Sequence, residues 1–143
     1  MNPPPPSEAP LGSQGPREDA VADGHTAPPG SAAAARARVR ELLLLAGVGL
    51  DSVIAADAML VTSELVTNAI RHGDGVIDFR ADIAGDVLRL SIADANPRLP
   101  AARTGTVDHP GGYGWPIIQR LTEHVDCSTR ADGKTITTAL RLS

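Results

Sequence analysis

Glu64 and Asn68 stand four residues apart in the run Glu64-Leu65-Val66-Thr67-Asn68-Ala69-Ile70-Arg71-His72-Gly73, a spacing that stacks both side chains on one stripe of a helix. An asparagine carbonyl oxygen can ligate Mg²⁺, which takes few protein ligands and completes its shell with water and phosphate oxygens. A carboxylate one turn away can accept the proton of an attacking hydroxyl. The solvated face of any amphipathic helix is the simpler account of the pair, so spacing alone does not establish the chemistry. His72 suits either a cation at the negative pole of the helix dipole or a group lining a pocket. Asp94 shares the parity of Leu88, Leu90 and Ile92, which turns its carboxylate toward the covered side of a sheet, where it needs a donor. An adenine amino group is one candidate; a turn-forming role before Ala95-Asn96-Pro97 is the other. Gly112-Tyr113-Gly114 precedes a short helix, and backbone N–H groups there can hold a phosphate where no Cβ blocks approach. Glycines also simply make turns, and this pattern is neither a P-loop nor a dinucleotide fingerprint.

The elements that must position these residues follow from periodicity. Ser31 is a candidate N-cap for a first helix with Ala35, Val39, Leu42, Leu43 and Ala46 as its apolar face, ending at Gly47. Arg36 and Arg40 are expected on its exposed side. A second and longest helix begins at Asp51 or Ser52 and runs to His72, burying Ala58, Val61, Thr62, Leu65, Ala69 and Ile70. The period then changes to two. Ile77, Phe79, Ala81 and Ile83 face inward, the Ala84-Gly85-Asp86 turn follows, and Leu88, Leu90 and Ile92 complete an antiparallel hairpin. A loop rich in Gly and Pro from Pro97 to Gly111 leads to a helix from Trp115 to about Thr122. Strands over Val125 to Arg130 and Lys134 to Leu142, joined by Ala131-Asp132-Gly133, end the chain. This order predicts an α+β sandwich with helices on one face of a mainly antiparallel sheet, the arrangement that covers each alternating apolar face.

Composition narrows the function classes. The chain of 143 residues has room for one domain, with 42% hydrophobic residues. Phe79, Tyr113 and Trp115 are its whole aromatic set, so the core must be aliphatic and stacking on nucleic-acid bases is disfavoured. A net charge of -4 offers no basic footprint for a phosphate backbone. No apolar stretch is expected to span a membrane and no signal peptide opens the chain, which points to a cytoplasmic protein. Cys127 is the one cysteine; it excludes an intrachain disulfide and reads as a small buried hydrophobe. His72 has no second His or Cys at ligand spacing for zinc, and no Gly-x-Ser-x-Gly elbow supports triad hydrolysis. Eight of the twelve prolines fall before Gly30, a composition that predicts a disordered tail over residues 1–30 and an ordered domain over 31–143.

In their order, these motifs resemble the GHKL ATPase and kinase superfamily from about Ser31 to Leu142. The run Glu64 to Gly73 resembles the asparagine box of its small anti-sigma-factor serine/threonine kinases. The resemblance implies a two-layer sandwich on a mainly antiparallel mixed sheet, with ATP and Mg²⁺ as cofactors. It implies Glu64 as general base, Asn68 as Mg²⁺ ligand, and Asp94 as the adenine-reading carboxylate. Gly112 and Gly114 would be the phosphate-side glycines, Thr135 an adenine-side hydroxyl, His72 part of the nucleotide pocket, and Pro97 to Gly111 its lid. The chain departs from the pattern at four places, the first being Ala95-Asn96-Pro97 after Asp94, which lacks the glycine common in the wider superfamily, as small kinases of this branch often do. Relatives carry an arginine near the second glycine motif where this chain has His109-Pro110-Gly111-Gly112-Tyr113, leaving Arg98 and Arg103 as candidate phosphate contacts or plain surface charges. Trp115 stands where aliphatic residues are usual, and Lys134 where many relatives have threonine beside Gly133.

The activity implied is transfer of the ATP γ-phosphoryl group to a serine or threonine of a small antagonist protein. The partners implied are that antagonist and a sigma factor that the domain sequesters, and a homodimer is compatible with the resemblance. Arg36 and Arg40 are candidate docking residues or ordinary solvent-facing charges. The rival readings are a non-catalytic nucleotide-dependent binding module and a detached histidine-kinase catalytic domain, the latter without a helical dimerisation segment in this sequence. A structural protein without a ligand is the remaining one.

Overall fold

Ser31 and Ser52 start the two long helices as their sequence contexts predict. The Ser31 hydroxyl accepts the Ala34 N–H at 3.1 Å and the Ser52 hydroxyl accepts that of Ala55 at 3.1 Å, satisfying donors a helix start leaves unpaired. The structure, a computed structural model, describes residues 20–22, 27–99 and 114–143. Its elements are β1 (Ala20–Ala22), α1 (Ala32–Leu45), α2 (Val53–His72), β2 (Val76–Ala84), β3 (Val87–Asp94), α3 (Gly114–Leu121), β4 (His124–Arg130) and β5 (Gly133–Arg141). Helix α1 ends in a Schellman motif. Gly47, at φ +80°, donates to Leu44 and Val48 donates to Leu43, a left-handed position that glycine takes without a Cβ penalty.

The five strands form one sheet in the order β1-β2-β3-β5-β4. All four pairings are antiparallel, within the α+β sandwich expected, and none of the parallel pairs that a mixed sheet allows occurs among the described residues. Phe79, Ala81, Ile83, Leu88, Leu90, Ile92, Ile136 and Leu140 supply its inner face. Val39, Leu42 and Leu43 of α1, Val61, Leu65 and Val66 of α2, and Ile118 of α3 close over them. Phe79 is the core's aromatic ring, the rest being aliphatic as the composition requires.

Several expectations need correction. Ala20–Ala22, inside the stretch read as structureless, pairs with Ala84 to Asp82 as an edge strand. Ala46 is exposed and Ile70 is 47% exposed, while Val66 and Ala55 join the buried face of α2. Ile77 is 54% exposed because the register shifts between Val76 and Asp78. Such an irregularity re-aims the side chain next to it. Arg36 is half-buried and donates to Ser63 Oγ at 2.9 Å, joining α1 to α2 rather than facing solvent with the exposed Arg40. Arg38, a charged residue in a helix otherwise buried through aliphatic side chains, is 7% exposed. Its guanidinium donates to the carbonyls of Ala27 and Phe79 and lies 5.0 Å from the Phe79 ring centroid. Contrary to expectation, α2 is apolar and long enough to cross a membrane, with 20 residues and mean hydropathy 1.4. Here its apolar stripe is the centre of the sandwich.

Candidate functional site

Helix α2 carries Glu64, Asn68 and His72 in register, one turn between each. Glu64 and Asn68 are half-buried and His72 is exposed. Among the described residues, the side chains of Glu64 and Asn68 make no hydrogen bond or ion pair. The stripe is therefore chemically uncommitted. Its flank is set by α1 and α3, both packed against α2. Arg71 and His72 place basic groups in the last turn, where the carbonyl end of the dipole favours them.

The helix stops where Asp94 arrives. Gly73 caps α2, its N–H donating to the Ala69 carbonyl at 3.0 Å, and a Cβ on Gly73 would fall inside the Asp94 carboxylate. Glycine here is a requirement of close approach. Asp94 ends β3 on the covered face, as its parity predicts, and its Oδ2 lies 2.8 Å from Lys134 Nζ, with both side chains 2% exposed. Asp94 Oδ1 accepts the Asn96 N–H at 2.9 Å. Lys134 Nζ donates to the Asn96 carbonyl at 3.1 Å, and the Asn96 side chain donates to the His72 carbonyl at 3.0 Å. A further bond runs from Ala95 N–H to the Gly73 carbonyl at 2.9 Å. The end of α2, the end of β3 and the start of β5 thus meet on one polar network. Leaving a partner of such a buried pair unmatched costs about 3–5 kcal/mol.

The register explains the pair. Asp94 lies opposite Lys134, as Ile92 lies opposite Ile136 and Leu90 opposite Thr138. Thr135, one residue on, points to the other face opposite Ala93 and accepts from Arg130 Nη1 at 2.9 Å. It is therefore not beside Asp94, which corrects the expectation of an adenine-side hydroxyl: a shift of one residue along a strand reverses the face. Lys134 is a departure from the resemblance, which gives it no role. Its inward parity was readable from Ile136, Thr138 and Leu140, three buried positions in step with it.

The phosphate-side residues divide. Gly114 opens α3, and Gly112 and Arg103 lie outside the described residues. Arg98 is exposed, its backbone N–H donating to Asn96 Oδ1 at 2.9 Å. Trp115 is half-buried against the core cluster. Cys127, opposite Ile136 on β4, is part-buried, and burial pushes its thiol above the usual range, which fits a packing role.

Helices on one face of an antiparallel sheet, with an asparagine-bearing core helix ending against a buried strand-end aspartate, define an ATPase domain of the GHKL type. Residues 25–140 match the family of the histidine kinase-like ATPase domain, and the chain belongs to that family. Domains of this family bind ATP, generally with Mg²⁺. Among solved structures the chain is similar to the histidine kinase domain from the Erythrobacter litoralis EL346 blue-light activated histidine kinase. That likeness has 18% identity over 90% of this chain and 70% of the other, with a TM-score of 0.47. No curated protein matches the sequence significantly.

Proposed function

We propose that the domain is an ATP-dependent regulatory serine/threonine kinase that phosphorylates a small antagonist protein and sequesters a sigma factor. The observation that carries the kinase reading is the uncommitted Glu64 and Asn68 pair on a helix whose end is locked to Asp94. Asn68 supplies one carbonyl oxygen without a competing partner among the described residues, which fits an ion that takes few protein ligands. Mg²⁺ held there would neutralise charge on the phosphates. Glu64 accepts the proton of the substrate hydroxyl as its oxygen bonds to the γ-phosphorus and the bond from that phosphorus to the bridging oxygen of ADP breaks. Asp94 accepts from the base, Gly112 and Gly114 approach the phosphates, and Arg98 or Arg103 offers them a cation. The sigma factor and its antagonist rest on the resemblance of the asparagine box. Arg40 is the exposed docking candidate that remains, Arg36 being engaged with Ser63.

The test is transfer of γ-labelled phosphate from ATP to a serine-containing antagonist. Acid-stable label on the antagonist is the expected result. Acid-labile label on a histidine acceptor would make the domain a detached histidine-kinase catalytic domain. A second reading, a nucleotide-dependent binding module without transfer, is favoured by the buried engagement of Asp94 with Lys134. Its signature is saturable ATP binding with no labelled product.

A further inference from the structure

We infer that the outward stripe of α2 from Val53 to Leu60 is the docking surface for the phosphoacceptor, a protein that presents its serine or threonine at the edge of an apolar patch. The inference rests on the proposed roles of Glu64 and Asn68. Steps of three and four residues keep to one face of a helix, and Val53, Asp57, Leu60, Glu64 and Asn68 follow that spacing along α2. The base and the metal ligand are thus the C-terminal half of a longer stripe. Its N-terminal half carries large apolar side chains in the open: Val53 is 76% and Leu60 40% exposed. The core is served by other positions of the same helix, Ala55, Ala58, Val61, Thr62 and Leu65, all buried. Packing within the domain therefore does not account for Val53 and Leu60.

The order of the groups along the helix says what covers this surface. Phosphoryl transfer sets the attacking and leaving oxygens in line, on opposite sides of the γ-phosphorus. An ion at Asn68 bridges the β- and γ-phosphates, which turns the leaving oxygen of ADP toward the C-terminal end of α2. Glu64, one turn nearer the N-terminus, takes the proton of the incoming hydroxyl. That hydroxyl therefore arrives from the N-terminal side, over Leu60, and the protein that carries it lies along the stripe, about 16 Å of helix from Val53 to Glu64. Of the eight large apolar side chains exposed among the described residues, five are on this stripe or in the segment leading into it: Val53 and Leu60, with Leu44, Leu45 and Leu50. Single exposed apolar residues need no partner, but a concentration of them beside a reactive site marks an interaction surface. Asp57 is the one charge between Val53 and Leu60 on the stripe. It is half-buried and makes no hydrogen bond or ion pair among the described residues, so it selects a lysine or arginine on the acceptor.

The experiment uses the full chain with Mg²⁺ and γ-labelled ATP and compares two synthetic acceptor peptides. Each carries one serine near its end and one lysine; in the first, leucines follow the serine at helical spacing, and in the second glutamine replaces each leucine. The wild type is expected to label the leucine peptide with a KM at least about tenfold below that of the glutamine peptide. Leu60→Glu and Val53→Asp should each raise the KM for the leucine peptide about tenfold and leave ATP affinity unchanged, since neither residue is a candidate nucleotide contact. Ile77→Glu, the same kind of change at an exposed apolar residue on β2, should leave both KM values as they are. Equal KM values for the two peptides, or a preference that survives both stripe variants, overturns the inference and leaves the kinase reading standing. So does loss of the preference in Ile77→Glu, which means that any apolar surface serves. Label on neither peptide also overturns the inference, and transfer to the antagonist decides separately whether the kinase reading falls with it. Should a variant fail to fold, the comparison of peptides on the wild type decides alone.

Discussion

Glu64→Gln preserves the shape and polarity of the side chain and removes its capacity to take a proton. Because Glu64 has no hydrogen-bond partner among the described residues, the exchange disturbs no neighbour. It should leave ATP affinity intact while single-turnover transfer falls about 10²- to 10⁴-fold; an unchanged rate would remove Glu64 from the base role. Cys127 makes a separate point. Burial raises its pKa, so the folded chain keeps the thiol proton to higher pH than the unfolded chain. Its contribution to stability is present below the unfolded thiol's pKa and is lost as pH rises through the folded one. Alkylation by iodoacetamide near pH 7 should run at least about tenfold slower in the folded than in the urea-unfolded protein, and equal rates would contradict its packing role. At this scale the inward placement of Asp94 was legible, since three buried neighbours share its parity. The outward placement of Thr135 follows from the same count, since the buried Ile136, Thr138 and Leu140 hold the inward parity of β5.

The junction of α2, β3 and β5 depends on Gly73 and Gly133, the two positions where a Cβ would enter the Asp94 residue. Gly73→Ala should therefore destabilise the fold by about 1–3 kcal/mol through overpacking, read by urea denaturation; an unchanged midpoint would mean the helix end and Asp94 can separate freely. Deleting residues 1–30 removes β1 and the Ala27 carbonyl that Arg38 bonds. It should lower Tm yet leave ATP affinity within about tenfold, since no candidate contact precedes Ser31. An unaltered Tm would show that the edge strand contributes nothing. Helix caps, the hairpin turn and the strand periods were readable because they are local. The exposure of Ile77 was not, because the register shift that turns it outward depends on pairing with β3. Nor was burial of Arg38, whose partners lie on another segment and another strand.

At the level of the molecule, the two-layer architecture followed from the alternation of periods, and the family from the asparagine box. What sequence order could not supply was the adjacency of β3 and β5, which are separated along the chain by α3 and β4. That long-range pairing places Lys134 against Asp94. It also converts α2, apolar enough for a bilayer by composition, into the helix that links the Asn68 stripe to the Asp94 network. The role of Asn68 as a Mg²⁺ ligand in an ATP site is tested by calorimetric titration of the wild type and Asn68→Ala with ATP, with and without Mg²⁺. The wild type should bind saturably, and binding should weaken at least about tenfold when either Mg²⁺ or the Asn68 side chain is removed. Absence of saturable binding, or binding indifferent to both removals, would contradict it.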